Sequence, residues 1–186
     1  MDDARRKLVI ALPLALPFAA PALAETGNAA APAQSAPPAA LVVSGAVRRP
    51  MRPGAEELRG SPLTRPLDPI ALTNASGVFK RMLDGYRGMK LTDLLDQAQL
   101  EAAGHNDWKR TFVVARATDG YTVLFSWSEL YNTPVGQSVF VLLEKDGAPL
   151  PNTEGPVALV SARDLKTGPR HVRSLASLEV LRVPAG

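Results

Sequence analysis

The sequence predicts an α+β domain, built mainly of mixed β-sheet with short helices. Three observations point there. From Thr111 onward, apolar residues come in the short runs and two-residue alternations of strands. Asp119-Gly120 and Asp146-Gly147 supply tight-turn chemistry between those runs. The clearest helical spacing is short: Leu91, Leu94, Leu95 and Ala98 fall at i, i+3, i+4 and i+7. Runs of strands with a few short helices belong to α+β architectures.

Each element follows from local chemistry. Leu41–Val47 is rich in β-formers and ends at the breaker Arg48-Arg49-Pro50, so it reads as a first strand. Gly54–Arg59 has the composition of one helical turn, closed by Gly60. Residues 61–77 are proline-spaced and extended, with a strand expected over Pro69–Thr73 and a turn at Asn74-Ala75-Ser76-Gly77. Tyr86–Lys90 leads into the amphipathic helix, and Gly104 is its expected stop. Thr111–Thr118 and Tyr121–Phe125 form a hairpin, and Ser126 is placed to cap a helical turn over Trp127–Leu130. Ser138–Leu143 reads as a central strand, Val157–Ser161 as another, and Leu175–Val183 as the last.

The N-terminus reads as an export signal. Arg5, Arg6 and Lys7 precede an uncharged stretch from Leu8 to Pro21, and Ala22-Leu23-Ala24 makes an A-x-A cleavage site. The expected organisation is a signal peptide over 1–24, a flexible Ala/Pro-rich linker over 25–40 and one domain over 41–186, with cleavage near Ala24 and a periplasmic or secreted location. Arg5-Arg6 matches a twin-arginine address in part, and an ordinary basic n-region accounts for it as well. The apolar stretch is shorter than the roughly 20 residues of a membrane span, so no span is expected in the mature chain.

Composition excludes several classes. The chain has no cysteine, which removes disulfides, thiolate catalysis and thiolate metal sites together. The formal charge of +3 is too small to imply nucleic acid binding. There is no Gly-x-Ser-x-Gly elbow, Walker loop or dinucleotide fingerprint. His105 with Asp107 is too sparse for a metal site, so no metal ligands are assigned. Trp108 and Trp127 are placed either to close the core or to face a groove.

The order of landmarks resembles the molybdopterin-binding oxidoreductase domain of the sulfite oxidase family. Val43–Val47 followed by Glu56-Glu57-Leu58 is similar to that family's opening strand and helix. Tyr86-Arg87-Gly88-Met89-Lys90-Leu91 with Leu94-Leu95, the Asp119-Gly120-Tyr121 hairpin with Phe125 and Glu129-Leu130, and Asp146-Gly147-Ala148-Pro149-Leu150 are similar to its later segments. Gly155–Val160, Arg170-His171-Val172-Arg173 and Leu178-Glu179-Val180 complete the series. The resemblance spans nearly all of 41–186 and implies that family's fold, with molybdopterin as the cofactor and basic residues meeting its phosphate.

The departures are chemical. The segment Ala71–Gly77, where the resemblance places the metal-binding thiolate, has none, and Ser174 stands where the family tends to carry an aromatic residue. Oxygen ligation from Thr73, Asn74 or Ser76 is the alternative to an ordinary turn there. Arg163, Lys166, Arg170, His171 and Arg173 form the expected anion site, with Asn74, Ser76, Tyr86 and Arg87 as further cofactor-facing residues implied by the resemblance. No cofactor is demanded by the residues themselves; molybdopterin is the one the resemblance implies.

The expected function is that of an exported, periplasmic molybdopterin-oxidoreductase-like domain without thiolate-bound molybdenum. It would bind an anionic small molecule, a pterin or an unidentified periplasmic protein. A molybdopterin-dependent oxidoreductase with non-cysteine ligation and a structural periplasmic subunit are the alternatives.

Overall fold

A computed structural model describes residues 40–102 and 104–184 of the chain. The expected signal peptide and all of the expected linker except Ala40 lie outside the described residues. In chain order, β1 (Val42–Gly45) and α1 (Ala55–Arg59) are followed by β2 (Arg65–Pro66), β3 (Ile70–Thr73), β4 (Phe79–Leu83), β5 (Tyr86–Lys90) and α2 (Leu91–Ala98). Then come β6 (Thr111–Ala117), β7 (Thr122–Ser126), α3 (Trp127–Asn132), β8 (Val139–Lys145), β9 (Ala148–Pro149), β10 (Ala158–Ser161), β11 (His171–Val172) and β12 (Leu175–Arg182). This is the mixed-sheet α+β architecture that the alternating runs predict.

The strands form two sheets and a hairpin. One sheet has the order β1-β12-β6-β7, in which only β1–β12 is parallel. The other has the order β11-β10-β8-β5-β2, with β9 paired to β8, and is antiparallel throughout. β3 and β4 pair only with each other among the described residues.

The apolar pattern explains the layering. Val139, Val141 and Leu143 of β8 point into the main core with Met89, Phe125, Leu159, Leu178 and Val180. Leu142 of the same strand points the other way, into a second cluster with Ile70, Leu83, Tyr86, Ala158 and Val160. β8 and β10 are therefore buried on both faces, which is why they read as solid apolar runs. The base of the β3–β4 hairpin covers the second cluster through Ile70 and Leu83. α2 buries Leu91, Leu94, Leu95 and Ala98 completely, as its spacing requires.

Three local expectations are corrected. Gly104 does not stop α2: the helix ends at Ala98, with Gln99 taking a left-handed φ of 56°, and Gly104 instead donates its N–H to Asp107 Oδ2 at 2.8 Å. Tyr86–Lys90 is a strand in the second sheet and not only a lead-in to the helix. Phe79–Leu83, assigned no element from sequence, is β4; four of its five residues are exposed, so it lacks the alternation that marks a strand. No helix among the described residues is long and apolar enough to cross a membrane.

Candidate functional site

A depression of about 830 Å³ opens between β3, the chain after α3, and Ala162-Arg163. That volume lies within the roughly 300–1,000 Å³ of small-molecule sites. Its walls are positioned by short-range chemistry. Ser126 Oγ accepts the Glu129 N–H at 3.0 Å and starts α3. Thr133 Oγ1 donates to Glu129 O at 2.8 Å where that helix ends. The next turn requires Gly136, because a Cβ there would lie 1.8 Å from Leu130 O. Ala162 N–H then bonds Ser138 O at 2.9 Å, fixing the Arg163 side of the cleft against the chain after α3.

Phe140 and Tyr131 give the cleft apolar, planar surface, and Asp68, Asn132, Gln137 and Arg163 give it polar groups. Gln137 is held by Lys90 Nζ at 2.5 Å. Arg163 is exposed and, among the described residues, forms no ion pair and is the one cationic side chain lining this cleft.

The structure divides the expected anion site. Arg170 is consumed internally: Nε donates to Asp164 Oδ2 at 2.6 Å, Nη2 donates to Asp164 Oδ1, and Nη1 donates to Glu129 Oε1 at 2.7 Å. Its guanidinium lies 4.6 Å from the centroid of the Phe125 ring. Burial alone would lower its pKa, but the bonds from Asp164 and Glu129 carry it above the usual arginine value. His171 turns away to Glu154, Nε2 to Oε2 at 2.9 Å. Arg173 is exposed and lines neither the cleft nor its neighbour. Only Arg163 and Lys166 remain together with open cationic ends, flanking a shallower depression beside the cleft. The five bases therefore do not converge. Asp164, inside the basic run, was passed over in the sequence, and Glu129 was read only as a landmark of the resemblance. Their acidic character was the available signal.

The other expected residues are placed as follows. Asn74 Oδ1 accepts the N–H groups of Ser76 at 3.0 Å and Val78 at 2.9 Å, the turn that its composition suggests. This turn is brought beside the basic loop, since a Cβ on Gly168 would lie 2.0 Å from Thr73 O. Arg87 pairs with Glu144 at 2.9 Å. Tyr86 is buried, and its hydroxyl has no hydrogen-bond partner of good geometry among the described residues. It sits close to a charged knot in which Glu154 binds both Arg81 and His171. Burial, and then the Glu154 charge, hold the Tyr86 pKa above its ordinary value. Neither Tyr86 nor Arg87 lines the cleft.

A protein-ligated molybdenum does not fit this donor set. The sequence has no thiolate. Thr73 Oγ1 accepts the Thr167 N–H at 3.1 Å, and Asn74 Oδ1 is taken by two backbone donors. No group of three His, Asp or Glu side chains is poised for a metal among the described residues.

No protein-family model matches the chain, and no curated protein matches it. Among solved structures, the chain is similar to the crystal structure of the sulfane dehydrogenase SoxCD from Paracoccus pantotrophus, with a TM-score of 0.50 and 15% identity. The match covers 76% of this chain and 37% of that one, so the present chain spans well under half the neighbour's length. At this identity the likeness shows a shared fold alone.

Proposed function

We propose that this chain is an exported, periplasmic binding module: a sulfite-oxidase-like scaffold that takes a planar, anionic, pterin-like small molecule in the cleft at Arg163, without protein-bound molybdenum. The observation that carries this reading is the pairing of that fold with a sequence containing no cysteine. The cleft supports it with aromatic surface from Phe140 and Tyr131 and the exposed Arg163 guanidinium in its lining. Oxidoreductase chemistry with oxygen ligation has less support, because the oxygens of Thr73 and Asn74 are engaged elsewhere and Ser76 stands exposed in the turn. The A-x-A site at Ala22–Ala24 supports export, and N-terminal sequencing of the protein from its native compartment checks it.

The test is calorimetric titration with pterin-6-carboxylate, alongside molybdenum, tungsten and pterin analysis of protein purified from that compartment. Saturable binding that weakens about tenfold in Arg163→Glu, a loss of about 1.4 kcal/mol, is the expected result. Stoichiometric molybdenum in the purified protein, or binding indifferent to Arg163→Glu, overturns the proposal.

A further inference from the structure

Both tryptophans of the chain stand in one wall. Trp127 lies between Trp108, at 5.1 Å between ring centroids, and Tyr131, stacked at 5.2 Å. Aromatic residues make up only 5% of the sequence, so this gathering is not a matter of abundance. None of the three rings is fully buried. Together with Asp96, Gln99 and Leu100 they line a groove of about 270 Å³, separate from the cleft at Arg163 and divided from it by Tyr131.

The groove is electrostatically one-sided. Among the described residues its lining contains a carboxylate and three π-systems but no lysine, arginine or histidine. Asp96 is exposed; its Oδ1 accepts the Tyr131 hydroxyl at 2.8 Å, which fixes the carboxylate against the aromatic wall. Burial first, and then the bond to Asp96 and the charges of Asp96 and Asp93, hold the Tyr131 hydroxyl protonated far above its usual range, so it remains a donor. A cation drawn to this carboxylate would rest against aromatic surface, where charge and ring attract within about 6 Å. The small volume suits a compact head group and not an extended molecule.

We infer that the Trp108–Trp127–Tyr131 groove is a binding site for an organic cation of the quaternary-ammonium or guanidinium type, held between the aromatic wall and the Asp96 carboxylate. The inference does not rest on the reading of the main cleft, whose ligand carries the opposite charge, although the two sites share Tyr131 as a wall.

The site contains its own probe. Because Trp108 and Trp127 are the chain's two tryptophans, intrinsic tryptophan fluorescence reports this groove. The mature protein is titrated with choline and with N-acetylarginine amide, using glucose and sodium chloride as controls. A saturable change with either cation is expected, and which of the two binds more tightly separates a free small molecule from an arginine side chain of a partner. Asp96→Asn should weaken the binding about tenfold. Tyr131→Phe, which frees the carboxylate from its anchor, should weaken it less. Trp108→Leu, read by calorimetry, supplies a variant that leaves Asp96 intact and should also weaken binding. A response reproduced by sodium chloride at equal ionic strength, a saturable response to glucose alone, or an affinity unchanged by Asp96→Asn overturns the inference.

Discussion

Thr73 and Thr167, 94 positions apart, bond to each other twice. Thr73 N–H donates to Thr167 Oγ1 at 2.9 Å, and Thr167 N–H donates to Thr73 Oγ1 at 3.1 Å. Thr167 Oγ1 also donates to Ala71 O at 2.7 Å. This clip holds the β3 side of the cleft to the loop that carries Arg163. Thr167 is buried, so Thr167→Val keeps the shape and leaves a backbone donor and acceptor unpaired. The expected cost is about 2 kcal/mol, measured by urea denaturation. Faster hydrogen exchange at the Thr73 amide should accompany it, and Thr167→Ser should restore both.

Arg163 and Arg170 should behave oppositely. Arg170→Met strands two acids, Asp164 and Glu129, and should destabilise the fold by about 2 kcal/mol. Arg163→Met touches an exposed side chain and should leave stability within about 0.5 kcal/mol of the parent. Parallel thermal melts and ligand titrations of the two variants separate a brace from a binding group. Equal melting losses would contradict the assignment.

Acid should weaken the Glu154 knot. Burial opposes the Glu154 charge, but the bonds and charges of His171 and Arg81 outweigh it and hold the pKa below the ordinary 4.5. A carboxyl whose pKa is lower when folded adds stability above its unfolded value and loses it as pH falls through the folded one. Stability should therefore decline from about pH 5 downward. In Glu154→Gln that part of the slope should disappear, as read from urea midpoints across the same range.

Gly88 should tolerate no side chain. It lies in β5 opposite Leu142 of β8, next to an irregularity in the ladder. A Cβ there would sit 2.2 Å from Val141 O, a backbone atom that cannot rotate aside. Gly88→Ala should cost about 3 kcal/mol through strand separation, visible as a lower melting temperature and reduced soluble yield. This gives a physical reason for the glycine in the Tyr86-Arg87-Gly88 segment.

The sequence by itself determined most of the elements, and the sheets they join were settled by the fold. The apolar runs at Ser138–Leu143 and Val157–Ser161 announced strands, though not that both their faces are buried, and the spacing of Leu91, Leu94, Leu95 and Ala98 announced α2, because burial imposes a period on the residues that undergo it. Asp119-Gly120 became the β6–β7 turn, with Gly120 at φ 88°, because the backbone needs that freedom locally. The lack of a thiolate is likewise legible in the sequence and limits the chemistry whatever the fold.

The site was decided by tertiary structure. β4 was invisible because its exposed residues carry no alternation, and the hairpin is held by Thr167 and Glu154 from far along the chain. The basic run from Arg163 to Arg173 suggested convergence, yet whether a guanidinium is open or neutralised depends on which acids the fold brings to it. Asp164 and Glu129 took Arg170, Glu154 took His171, and Arg163 was left facing the cleft. Local period and turn chemistry act over a few residues and can be read in order. Charge compensation acts through space, between residues the sequence keeps apart, and only the folded chain determines it.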